Sequence, residues 1–202
     1  MAEKLNNMKV LFLDHDGVIC LCNNWGSRRK KQAKGRFTTV NDLDMPVEFR
    51  FDNFDRKATN VLNEIIERTG CEIVVSSDWK RWANVDEMGE YYLNHGIIKK
   101  PISFTKNLSE IDVPADYPWS SKFELEQTRT IEILEYLKDH PEVTHWVAVD
   151  DLNMGIPQRH ESWGEMNVDW GLTNFVLTPR ACEGIKQTGV KEKIIKFLSD
   201  GI

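Results

Sequence analysis

Five short apolar runs, separated by segments with helical spacing, constrain this chain more than any other feature. They are residues 8–13 (MKVLFL), 71–75 (CEIVV), 101–104 (PISF), 145–149 (HWVAV) and 174–178 (NFVLT). Each reads as an unbroken apolar strand, the mark of a strand covered on both faces. Between the first two, residues 55–69 place Ala58, Val61, Leu62, Ile65 and Ile66 on one helical face, with Asp55 as N-cap and Gly70 as the stop. Further helices are expected around 80–95 (ended by Gly96), over 128–139 (Ile131, Ile133, Leu134, Leu137) and over the closing KEKIIKFL. Strands alternating with helices predict an α/β domain, a central parallel sheet with helices on both faces. Ligands of such sheets bind beyond the carboxyl ends of the strands, so the residues that follow each run carry extra weight.

Three runs end in polar groups. The first is followed by Asp14-His15-Asp16-Gly17-Val18, the second by Ser76-Ser77-Asp78, the fourth by Asp150-Asp151. Taken singly, a D-x-D-G is often only a turn and a DD pair often only a helix cap. Taken together in one parallel sheet, the carboxylates converge at one edge, where unpaired they would repel and some would protonate. A hard divalent cation such as Mg²⁺ resolves that repulsion, and a nearby serine hydroxyl then suits a phosphate.

The stretches VLFLDHDGVI, IVVSSDW and WVAVDDLN resemble the first, second and fourth motifs of the haloacid dehalogenase (HAD) superfamily of phosphohydrolases. Arg129, 22 residues before Asp151 and followed by TIEILEYL, stands where the basic third motif is expected, with Lys122 as the alternative. The pattern from SSDW through HPEV to DD further resembles the HAD domains of Swiss-Army-knife RNA repair proteins and phage polynucleotide phosphatases. The resemblance spans about residues 8–155 and implies a Rossmann-like HAD fold with a small cap.

It also implies roles. Asp14 is the expected nucleophile, forming an aspartyl-phosphate. Asp16 is the expected general acid and then base, its backbone carbonyl a metal ligand. Asp14 and Asp151 are expected to hold Mg²⁺, with Asp150 beside them as an alternative ligand. Ser76, or else Ser77, would hydrogen-bond a phosphate oxygen, and Arg129 would neutralise charge on the transferring group. Val18 departs from the threonine common at that position. His15, between the two aspartates, either packs or touches substrate.

Residues 20–54 are too long for a simple loop and read as a cap or flap insert within a single domain of 202 residues. Residues 105–127 and 152–173 are also irregular. Residues 28–36 (RRKKQAKGR) carry six basic groups and no acid, so a net charge of −6 becomes −12 over the other 193 residues once those six are set aside. Trp25 with Arg28, Arg29 and Lys30 suits a nucleotide or nucleic-acid end by stacking and phosphate contact. The plainer reading is a packed tryptophan beside solvated cations.

Of Cys20, Cys22, Cys71 and Cys182 only the first two are close, and a C-x-C with no second pair or nearby histidine is a weak metal signal, so reduced and partly buried thiols are expected. No apolar run reaches a membrane span, and the first residues do not have the pattern of a secretory signal, so the expectation is a cytoplasmic protein with no membrane association and no obligate protein partner.

The resulting expectation is a Mg²⁺-dependent phosphomonoester hydrolase acting on a nucleotide or a nucleic-acid 3′-phosphate end. The rivals are a phosphatase of a small sugar or metabolite and a catalytically idle HAD-like binding module. A response-regulator-like receiver shares the chemistry but places its acid pair early and its phosphorylated aspartate at the third strand, the reverse of the order here.

Overall fold

The computed structural model describes residues 7–21, 45–111, 125–155 and 171–200. Its centre is a five-stranded sheet in the order β3-β2-β1-β4-β5, every neighbouring pair parallel. The strands are β1 (Met8–Leu13), β2 (Glu72–Val75), β3 (Ser103–Phe104), β4 (Val143–Asp150) and β5 (Phe175–Leu177). All five fall on the apolar runs. PISF and NFVLT shrink to two and three paired residues because they form the sheet's edges and pair on one side only.

The helices are α1 (Val47–Arg50), α2 (Arg56–Thr69), α3 (Val85–Asn94), α4 (Leu125–Asp139) and α5 (Val190–Asp200). Asp55 caps α2 through the Ala58 N–H, and Gly70 closes it with a φ of 68°. The single helix expected over 80–95 is two elements. Asp78–Arg81 is a 3₁₀ turn capped by Ser77, and Asn84 starts α3 afresh in a capping box with Glu87. The helix expected to start at 128 begins at Leu125.

Alternation along each strand divides the core. Leu11, Leu13, Ile73, Val75, Val147 and Val149 face α2, α3 and α5. Val10, Phe12, Val74, Trp146 and Ala148 face α4 through Ile133 and Tyr136. Helices thus cover both faces, which is why the strands carry apolar residues at consecutive positions.

The part of the expected cap at 22–44 lies outside the described residues. Its C-terminal flank is described: Met45, Phe51 and Phe54 are buried, and Arg50 forms a two-pronged ion pair with Glu87 at 3.0 Å that fastens α1 to α3. No disulfide joins Cys20, Cys71 and Cys182. Among the described residues no helix is long and apolar enough to cross a membrane.

Candidate active site at the strand ends

Register brings the acids together. Leu13 pairs with Val75 on one side and Val149 on the other, so one residue further on Asp14 stands beside Ser76 and Asp150. The Asp14 N–H donates to the Val149 carbonyl and the Ser76 N–H to the Leu13 carbonyl, extending the ladder to these positions. Asp14, Asp150 and Asp151 each offer a carboxylate oxygen, all within 4.8 Å of one another.

Arg129, in the first turns of α4, holds this cluster from the face that Val10 and Phe12 share. Its Nη1 lies 2.6 Å from Asp14 Oδ1 and 2.9 Å from Asp150 Oδ2, and its Nη2 3.5 Å from Asp78 Oδ2. Both Asp150 oxygens have a protein partner, since its Oδ1 also accepts from the Leu152 N–H at 2.8 Å. Asp151 is half-buried and lies against Gly17. That glycine has a φ of 71°, and a Cβ on it would collide with the Asp151 carboxylate. The D-x-D-G glycine is therefore required by both its backbone conformation and the space it leaves.

The electrostatics follow from burial. Desolvation raises the Asp14 carboxyl well above its ordinary range and the charge of Asp150 raises it further, against the pull of Arg129 and a hydrogen bond from Ser77. Asp150 and Asp151 are raised too, first by burial. Burial works against the Arg129 charge, yet Asp14, Asp150 and Asp78 more than compensate and hold it protonated. Three converging carboxylates with one guanidinium are short of positive charge. The donor set is all oxygen, so a hard divalent cation fits it.

Several residues singled out in the sequence meet here. Ser77 touches Asp14, while Ser76 Oγ is buried and has no hydrogen-bond partner among the described residues. Asp16 is exposed and turns to the neighbouring 3₁₀ turn, its Oδ2 accepting from Trp79 Nε1 at 2.8 Å. His15 takes the packing alternative. It is fully buried with its ring against Trp79, Phe54 and Tyr92, and its Nε2 is 2.6 Å from the Tyr92 hydroxyl. Burial, then Arg129, lowers its pKa to about 3, so the ring is neutral. Trp25, Arg28, Arg29, Lys30 and Lys122 lie outside the described residues.

Sequence reasoning missed Lys80 and Glu132, a buried ion pair beside the cluster. A lysine directly after SSDW and a glutamate three residues past Arg129 were the available signals, but charged residues on helices are usually solvated.

Residues 10–175 match the family model described as the HAD domain in Swiss Army Knife RNA repair proteins. No curated protein and no solved structure matches the chain.

Proposed function

The chain belongs to the family of HAD domains in Swiss Army Knife RNA repair proteins, and from that premise we propose that it hydrolyses phosphate monoesters through a phosphorylated Asp14. The observation that carries this reading is Asp14 itself, a strand-end carboxylate gripped by Arg129 within a cluster of three acids.

Asp14 attacks phosphorus in line, forming an oxygen–phosphorus bond as the bond to the leaving oxygen breaks. Asp16, in its acid form, gives its proton to the departing alkoxide. A water then attacks phosphorus and surrenders a proton to the Asp16 carboxylate. The bond to Asp14 breaks, and inorganic phosphate leaves. The sum is ester plus water to alcohol plus phosphate, with both aspartates restored.

Arg129 is the motif-three base in this reading, preferred over Lys122 because it already touches Asp14. Its guanidinium neutralises charge on the transferring group. Ser76, whose Oγ has no protein partner among the described residues, receives a phosphate oxygen, and Ser77 orients Asp14. Asp14, Asp151 and the Asp16 backbone carbonyl would hold Mg²⁺. Asp150 stays in support because Arg129 and Leu152 occupy both its oxygens. Bound there, Mg²⁺ neutralises charge and keeps Asp14 ionised.

A nucleic-acid 3′-phosphate end or a nucleotide is the proposed substrate. The description of the family as RNA repair supports it, as does the aromatic and basic composition of the insert at 20–54, where Trp25, Arg28, Arg29 and Lys30 would meet the substrate. Hydrolysis of an aryl phosphate should require Mg²⁺ and vanish in Asp14→Asn. Robust turnover by that variant would sink the nucleophile. A panel of nucleotides, 3′-phosphorylated oligonucleotides and sugar phosphates tests the substrate class, and turnover of sugar phosphates alone would replace it. Charge reversal from Arg28 to Lys31 should raise KM for an oligonucleotide and leave that for an aryl phosphate unchanged.

A further inference from the structure

Trp79 occupies an unusual place for a residue with no assigned role in the chemistry above. Its ring is buried and stacks on Phe51, with centroids 4.5 Å apart and planes 6° from parallel, and on Phe54 at 5.5 Å and 10°. The His15 ring lies 4.6 Å away and Tyr91 closes another side at 6.1 Å. Aromatic contacts on this scale leave the ring little freedom to rotate. From this packed ring a single polar atom projects toward the site, Nε1, and it donates to Asp16 Oδ2 at 2.8 Å.

Asp16 needs such a restraint. It is exposed, and among the described residues no other side chain donates a hydrogen bond to its carboxylate. A flexible carboxylate on a tight turn would sample several rotamers, only some of them aimed at a leaving oxygen. The turn itself is fixed by the Gly17 N–H to Cys20 carbonyl bond and by Val18, Ile19 and Cys20 all donating to the His15 carbonyl. The backbone of Asp16 is thus rigid, and its side-chain orientation is what remains to be set.

We propose that Trp79 is a positioning residue for the general acid. Its indole N–H holds the Asp16 carboxyl in the rotamer that delivers a proton to the leaving group, and the stack of Phe51 and Phe54 holds the indole. This rests on the phosphatase reading. It adds that the C-terminal flank of the insert, which supplies both phenylalanines, is mechanically joined to proton delivery. The ring donates to one carboxylate oxygen only, so the other remains available to carry the proton.

The test exploits leaving-group chemistry. An alkoxide cannot depart without a proton, whereas a nitrophenolate can, so loss of general-acid positioning penalises alkyl phosphates selectively. Trp79→Phe keeps a stackable six-membered ring and removes the donor with the pyrrole half of the indole. It should lower kcat/KM for an alkyl phosphate such as β-glycerophosphate by about ten-fold, a fraction of the 10²–10⁴ of a whole acid–base residue, and that for p-nitrophenyl phosphate by less than about three-fold. Since kcat/KM reports the first phosphoryl transfer, later hydrolysis of the aspartyl-phosphate does not mask the difference. Equal losses on both esters, or none on either, would overturn the role of Trp79. Activity of the wild type on neither ester would instead overturn the phosphatase reading.

A second measurement needs no turnover. In ¹H–¹⁵N spectra of the full chain, the indole cross-peak that disappears in Trp79→Phe should move in Asp16→Ala, which keeps the fold because the side chain is exposed. If Trp79→Phe does not fold, the peak is assigned as the one that moves most in Asp16→Ala and shifts in Phe51→Leu. An indole spectrum unchanged by Asp16→Ala overturns the proposal, whatever the kinetics.

Discussion

Lys80 and Glu132 face each other across the sheet edge as an ion pair 2.5 Å long, with side chains only 3% and 5% exposed. Lys80 also donates to Thr105 Oγ1 and the Lys106 carbonyl, while Glu132 Oε1 accepts from the Leu108 N–H. The pair joins the turn after β2, the loop after β3 and α4, one helical turn from Arg129. Burial lowers the Lys80 pKa and Glu132 opposes that shift, so the ammonium depends on its partner. Glu132→Gln should therefore cost about 3–5 kcal/mol, the usual price of leaving one buried charge unpaired. The double change Lys80→Met with Glu132→Leu should recover most of it. Urea unfolding of Lys80→Met, of Glu132→Leu and of the double gives the coupling directly, and additive losses would show that the two charges do not depend on each other.

Arg129 makes its three contacts with a planar fork that an ammonium lacks. Arg129→Lys keeps the charge but cannot span Asp14, Asp150 and Asp78 at once. Its kcat/KM for an aryl phosphate should fall about 10–100-fold, and that of Arg129→Ala by about 10²–10³, the range for removing one preorganised electrostatic contact. Comparable activity in Arg129→Ala and the wild type would return the motif-three role to Lys122.

The five strands and the convergence of acids were legible because both rest on local pattern: unbroken apolar runs and polar residues directly after them. His15 was ambiguous in sequence, yet strand alternation extended past Leu13 assigns it to the face of Leu11 and Leu13, among the rings of Trp79 and Tyr92. The break between Arg81 and Val85 was hidden because Trp79, Trp82 and the following apolar residues keep helical spacing across it, and only the Asn84–Glu87 capping box marks the restart. Lys80 with Glu132, and Trp79 with Asp16, lie 52 and 63 residues apart in the chain. Such contacts depend on the crossover connections that place β2 beside both β1 and β3, which no local spacing encodes.

Gly17 and Gly70 have nearly the same backbone, with φ of 71° and 68°, but different surroundings. A Cβ at Gly70 meets nothing within 4 Å, whereas one at Gly17 strikes the Asp151 carboxylate. Both Gly→Ala changes should cost about 1–2 kcal/mol of left-handed strain. Gly70→Ala should keep the wild-type rise in melting temperature on adding Mg²⁺, while Gly17→Ala, which displaces Asp151, should lose most of it. An intact Mg²⁺ response in Gly17→Ala would remove Asp151 from the metal site.

The cation should also change how stability depends on pH. Asp14, Asp150 and Asp151 all have folded-state pKa values above the ordinary 3.8, chiefly through burial. A carboxyl whose pKa is raised on folding binds its proton more tightly in the folded state. It therefore costs nothing below the ordinary value, and the penalty grows as pH rises from there through the folded-state pKa. Without metal, these three acids should destabilise the fold more at about pH 7 than at about pH 4.5. Since a divalent cation offsets that repulsion, the Mg²⁺-induced rise in melting temperature should be larger at the higher pH. Asp151→Asn, which removes one charge and leaves all three Arg129 contacts in place, should raise the melting temperature in EDTA and shrink the Mg²⁺ response. Thermal unfolding at both pH values, in EDTA and in Mg²⁺, checks each part, and a Mg²⁺ effect that is equal at the two pH values would mean the acids are not the groups the cation relieves.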